Sequence, residues 1–224
     1  MAFLRFFGKL LISLGAGVLL FVLWTLYGTG IFITSRQQND LEAQFQAQAA
    51  FPEKAGQTSN ELKVHGPPKE FDPARGEVAF RLEIPKIDVD QFVVEGVDET
   101  ELQKGPGHYP ECDEDFAPPH CTPFPERFPG DQGRVIVSGH RTTYGAPFGS
   151  LDRVKEGDEI ITETKWGTFR YVVTEQRIVD DEDTSIAVEV HAPGAREIVL
   201  TTCHPKFSAA QRLIIFAELE ERIA

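Results

Sequence analysis

Basic residues are scarce in this chain. It holds 22 Lys and Arg against 35 Asp and Glu, a formal net charge of −13 over 224 residues. Nucleic-acid binding relies on clustered cations that neutralise phosphate, so no nucleic-acid partner is expected. Cysteine is limited to three residues, and their spacing to histidine matches no strong zinc pattern. No metal and no other cofactor is expected. Internal repeats are absent, and no apolar run follows the last predicted strand, so no C-terminal membrane span is expected. What is plentiful is phenylalanine and proline, at 17 and 15 residues. That points to a β-rich body with ordered turns rather than a helical bundle.

Near the start lies one long uncharged run. Leu10 to Ile33 reads LLISLGAGVLLFVLWTLYGTGIFI. At about 1.5 Å per helical residue it can cross a hydrocarbon core of roughly 30 Å. Arg5 and Lys9 precede it and Arg36 follows, after which the chain turns polar and acidic. The basic bias places the N-terminus in the cytoplasm and the remainder outside. A cleaved signal peptide is the alternative, but the apolar core is too long and no A-x-A site follows at once. The expected division is residues 1–9 as a cytoplasmic N-terminus, 10–33 as a single-pass cell-membrane anchor, 34–76 as an extracytoplasmic linker and 77–224 as the folded domain. Within the linker, SRQQNDLEAQFQAQAA is a candidate amphipathic or juxtamembrane helix. The following FPEKAGQTSNELKVHGPPKEFDP is rich in Pro, Gly and charge.

Short β-prone runs then recur at close spacing: VAFRLEIP, QFVVEGV, RVIVS, EIITET, TFRYVVTEQRI, EIVLTT and RLIIFAEL. Lys165-Trp166-Gly167 is a plausible hairpin turn between two of them. Such a series indicates an all-β barrel or sandwich. The rhythm breaks between Pro110 and Gly130, an acidic, proline-rich stretch long enough to be an ordered lid or a partner surface.

The stretch contains Cys112 and Cys121. Thiols outside the cytoplasm tend to oxidise, and these two are near enough in sequence to bridge. A disulfide between them is the expectation; a metal site with His120 and Asp113 is the alternative. Cys203 is left unpaired, at the end of a hydrophobic strand in IVLTTCHPKF, where His204-Pro205 stops regular pairing. Lone cysteines behind strands are often small buried hydrophobes, but position 203 falls near a sheet rim. His140 also follows a strand, in SGHRTTYGAPFG. An imidazole beside a thiol favours the thiolate and can later protonate a leaving amine. Arg212 opens the final strand, where a guanidinium could hold a carbonyl or a developing oxyanion. Each residue alone is unremarkable, and the three become informative as a set.

That set resembles the sortases, cysteine transpeptidases that attach surface proteins to Gram-positive cell walls. The resemblance rests on GHRTTYGAPF and LTTCHPKFSAAQRLIIFA and covers roughly Glu77 to Glu220. Val199 stands where the family's T-L-x-T-C motif has its first Thr, a modest change on the strand. The TTYGAPF and TCHP runs are most like the actinobacterial class E type. The likeness implies an eight-stranded β-barrel with short helices, preceded by a transmembrane helix. It implies Cys203 as nucleophile, His140 as acid and base, and Arg212 as oxyanion or substrate support. Tyr144, Thr142 and Thr202 would line the substrate groove. Partners would be proteins with an L-A-x-T-G or L-P-x-T-G sorting signal, and an amine on lipid II or a peptidoglycan stem peptide. The phenol of Tyr144 would contact the backbone amide that a Pro at the second signal position lacks.

Other readings use the same residues. A pilin-polymerising sortase usually carries a lid over its site, and Phe71-Asp72-Pro73 could suggest one, although the tripeptide is common in linkers. A plain cysteine peptidase would release acid to water. In an L,D-transpeptidase the nucleophile typically follows His-Gly, whereas Cys203 follows Thr201-Thr202. A non-catalytic, membrane-displayed binding module would tolerate Cys203→Ala.

Overall fold

The structure is a computed structural model and describes residues 2–48, 66–113, 121–183 and 194–223. Eight strands form a closed barrel: β1 (Val78–Ile84), β2 (Val89–Glu95), β3 (Gly107–His108), β4 (Gly133–Ser138), β5 (Glu159–Thr164), β6 (Gly167–Asp180), β7 (Arg196–His204) and β8 (Gln211–Arg222). Their order around the barrel is β1-β2-β3-β4-β7-β8-β6-β5. Seven of these strands are the β-prone runs of the sequence. The eighth, β3, has two residues, too short for any periodicity, yet it is needed to close the ring. Closure leaves no long unpaired edge that could template aggregation.

Alternation decides which side chains fill the barrel. Phe80, Leu82 and Ile84 of β1 point inward, as do Phe169, Tyr171 and Val173 of β6 and Leu213, Ile215 and Ala217 of β8. Burying each large apolar side chain contributes about 1.5–3 kcal/mol. β7 is apolar on both faces. Ile198 and Leu200 enter the barrel, while Val199 packs outside with Ile214 and Phe216. Such a run suits the one long parallel pair, β4 with β7.

The two ends of the barrel differ. One end is closed by Phe71, whose ring lies 5.0 Å from Phe128 and 4.7 Å from Trp166, centroid to centroid. Trp166 sits in the β5–β6 turn, where β6 pairs with the far end of β8 at Arg222, ten positions from Arg212. Phe71 therefore plugs the end opposite Cys203. The Phe71-Asp72-Pro73 segment is no lid over that cysteine, because the ring has an apolar pocket to fill elsewhere.

The N-terminal segment is one continuous helical rod. Helix α1 (Ala2–Leu23) passes through two π-helical turns, Trp24–Gly28 and Gly30–Thr34, into α2 (Ser35–Ala47). Its first part is exposed, with Leu11, Ile12, Leu14 and Phe21 all more than 60% accessible. From Thr29 onward one face is buried. Leu41 and Phe45 pack on Val78, Val94 and Phe92, and Lys165 Nζ lies 4.0 Å over the Phe45 ring. The juxtamembrane stretch is thus a docked helix rather than a free spacer.

Candidate active site

Strand register gathers the site. β4 and β7 run parallel, and Ser138 is the partner of Thr201. The pairing continues past the strand, since Gly139 N donates to Thr201 O at 3.1 Å. Two residues further on each chain stand His140 and Cys203. On the other side of β7, Cys203 is the direct antiparallel partner of Arg212. The three residues form a row across neighbouring chains, which lie about 4.8 Å apart in a sheet.

Cys203 is a free thiol, half-buried at the rim. Within the row, the Nε2 of His140 is buried and has no hydrogen-bond partner. Burial pushes its pKa below the ordinary histidine value, and the charge of Glu99 restores only part of the shift. The lowered value favours the neutral imidazole, the form able to take a proton. Arg212 is held by its own loop, with Nη1 donating to Ala209 O at 2.8 Å and to Gln211 O at 3.1 Å. These bonds leave the opposite edge of the guanidinium fork for a further acceptor.

The expected groove residues fall in different places. Tyr144 lies beside the row, its ring centroid 5.0 Å from that of His140, on a backbone with φ of 50°. Thr142 sits half-buried in the same loop. Thr202 is buried, and its hydroxyl donates to Gly139 O at 2.7 Å. That bond staples the His140 chain to the Cys203 strand and takes the proton a substrate would need.

Two further residues carry no periodicity signal. Arg141 is buried, donating to Asp152 Oδ1 at 2.8 Å, to Cys203 O at 3.3 Å and to His204 Nδ1 at 3.2 Å. A guanidinium can only donate, so Nδ1 of His204 is an acceptor and that ring is occupied on this side. Tyr109 lies near Cys203 and Arg212. Burial raises its phenol pKa, while a hydrogen bond from Ser138 and the Arg212 charge oppose the rise. The only sequence signal for Arg141 is its adjacency to His140, and for Tyr109 there is none.

Away from the row, Cys112 and Cys121 form a disulfide with an S–S distance of 1.98 Å. His120, the alternative metal ligand considered with them, lies outside the described residues, as does most of their loop. A second cluster joins Glu95, His108 and Glu126. His108 Nε2 is 2.8 Å from Arg127 O, and Nδ1 is 2.7 Å from Glu95 Oε2. Burial works against the charged ring, but the charge and hydrogen bond of Glu95 outweigh it, and the pKa is raised. Nε2 donates to the Arg127 carbonyl, and the raised pKa favours a proton on Nδ1 as well.

Comparison with known proteins agrees with this geometry. A sortase domain model matches residues 82–220. Sortase D of Bacillus subtilis (strain 168) is 33% identical over 83% of this chain and 84% of its own length. Sortase SrtE1 of Streptomyces coelicolor is 29% identical over 97% of this chain and 57% of its own. Among solved structures, Sortase E1 from Streptomyces coelicolor with a tripeptide in its active site superposes with a TM-score of 0.57. It shares 29% identity over 67% of this chain and 93% of its own. These relatives are sortases, and sortases are cysteine transpeptidases. The chain belongs to the sortase family, with a likeness to class E.

Proposed function

We propose that this protein is a membrane-anchored sortase that cleaves a C-terminal L-A-x-T-G or L-P-x-T-G signal between Thr and Gly. It then transfers the new acyl end to an amine on a cell-wall precursor. The observation that carries this reading is the row of His140, Cys203 and Arg212 across β4, β7 and β8. The exposed part of the apolar run, Leu10 to Tyr27, would hold the chain in the cell membrane, with the folded domain outside and residues 1–9 in the cytoplasm.

The chemistry follows from the protonation state. Cys203 passes its proton to the neutral His140, and the sulfur attacks the Thr carbonyl carbon. Arg212 stabilises the oxyanion that forms. The C–N bond breaks as His140 returns the proton to the glycine amine, leaving a thioester on Cys203. An acceptor amine adds to the thioester, His140 takes its proton, and the C–S bond breaks to free the thiol. Tyr144, whose ring contacts His140, would sense the second signal residue.

Mass spectrometry of the full chain with both signal peptides and a glycine amine tests this reading. Ligation that requires Cys203 and favours the Ala peptide is expected. Ligation favouring the Pro peptide would remove the Tyr144 assignment. Hydrolysis without ligation would mark a peptidase, and no thioacyl adduct with either peptide would remove the reading altogether.

A further inference from the structure

The helical rod touches the active-site loops. Thr29 Oγ1 accepts a hydrogen bond from Tyr144 N at 3.1 Å, and its own proton goes to Thr25 O at 2.9 Å. Gly30 lies against Gly145 so closely that an added Cβ would come within 2.7 Å of its Cα and N. Thr34 Oγ1 donates to Gln103 O at 3.0 Å. One turn on, Gln38 grips a backbone on three sides. Its amide donates to Phe92 O at 3.0 Å and Lys104 O at 2.9 Å, and its carbonyl accepts from Phe92 N at 2.7 Å. The two π-helical turns lie at this junction, and π-bulges concentrate at functional sites.

These contacts converge on His140. Tyr144 presents its ring to the imidazole, and Glu99, whose charge reaches it, opens the helix (Glu99–Leu102) that leads to Gln103 and Lys104. The rod therefore holds the loop of Tyr144 and the turn that follows the helix of Glu99. A membrane anchor alone would need none of these bonds.

We propose that the anchor helix is part of the catalytic apparatus, with Thr29, Gly30 and Thr34 as positioning residues that set His140 through the Tyr144–Gly145 and Glu99–Lys104 segments. This rests on His140 as the acid and base of the proposed reaction. Undocking the helix would let water reach the imidazole and move it from the thiol, and small misplacements of that kind cost on the order of 10–100-fold in rate.

The test uses the full chain in bilayer nanodiscs, with kcat, KM, the pH–rate profile and thermal stability measured for Gly30→Leu, Thr29→Val and the exposed control Ile31→Leu. Gly30→Leu is expected to lower kcat by roughly 10-fold or more and to shift the histidine limb of the profile upward, toward the exposed value. Thr29→Val is expected to move both in the same direction by less, and it keeps the test open if Gly30→Leu fails to fold. An unchanged kcat and profile in folded variants of both would overturn the proposal. His140→Ala in the same nanodiscs separates the two claims. If it retains turnover, the assignment of His140 fails; if it is inactive while both helix variants match the parent, only the positioning role fails.

Discussion

Two histidines in this molecule hold their imidazoles in opposite ways, His108 fully buried and His140 half-buried. His108 has an acceptor at each ring nitrogen and a raised pKa, both of which favour the charged ring beside Glu95. His140 has a buried Nε2 with no partner and a lowered pKa. A buried polar atom without a bond costs about 1–3 kcal/mol. The fold tolerates that cost at His140 and avoids it at His108. Burial alone thus says little about reactivity; what matters is whether the proton positions are already committed.

The sharpest way to break the comparison is to remove each ring. His140→Ala and Cys203→Ala should each lower turnover on the order of 10⁴-fold or more, with little change in melting temperature. Arg212→Lys should cost on the order of 10²–10³ in kcat, because an ammonium cannot reproduce the planar fork. His108→Ala should do the reverse. It leaves Glu95 buried and unpaired, at about 3–5 kcal/mol of stability, with kcat nearly unchanged in the folded fraction. Turnover lost equally in folded His108→Ala and His140→Ala protein would end the distinction.

Smaller effects sharpen it. Replacing Cys112 and Cys121 together by Ser should lower stability by about 2–3 kcal/mol, read by denaturant melts, and leave the chemistry intact. Glu126 supplies the mildest test. Burial first and Glu95 second push its carboxyl up to about 8, from 4.5 when exposed. A raised folded-state pKa means the native protein binds more protons than the unfolded chain between those values. Its stability contribution is therefore full below pH 4.5 and lost as pH rises toward 8. The raised pKa of His108 acts in the same direction. Glu126→Gln should flatten melting temperature against pH over that window. For His140 the sign reverses, since its pKa is lowered. Its contribution is present above the exposed value of 6.5 and lost as pH falls through the folded one. The matching limb of the rate profile should lie below 6.5.

Much of the fold is legible along the chain. Alternation in VAFRLEI or TFRYVVTEQRI marks strands because one face of each enters the barrel. The same pattern cannot say which strands become neighbours, and only the β4–β7 and β7–β8 register turns three distant residues into a row. β3 escapes because two residues have no period. Phe71 reads as linker because its neighbours are Pro and charge, while its pocket is built by Phe128 and Trp166, far away in sequence. Cys203, His140 and Arg212 can be found through motif resemblance. Arg141 is marked only by its adjacency to His140, and nothing local marks Tyr109 or the Thr29–Tyr144 bond.

The unbroken rod also acts as a ruler. Its exposed stretch from Leu10 to Tyr27 is 18 residues, about 27 Å of helix, close to one bilayer core of roughly 30 Å. The next residue but one, Thr29, already touches the loop of His140. With the helix across the membrane, the groove has no freedom to rise far above the headgroups. In the proposed reaction its encounters would be planar, and an acceptor carried on a lipid would meet the thioester by lateral diffusion. Tethering of that kind gives effective concentrations on the order of millimolar, whereas a soluble amine must come from the bulk. Under that proposal, the height at which the enzyme is held would partly decide which nucleophile resolves the thioester.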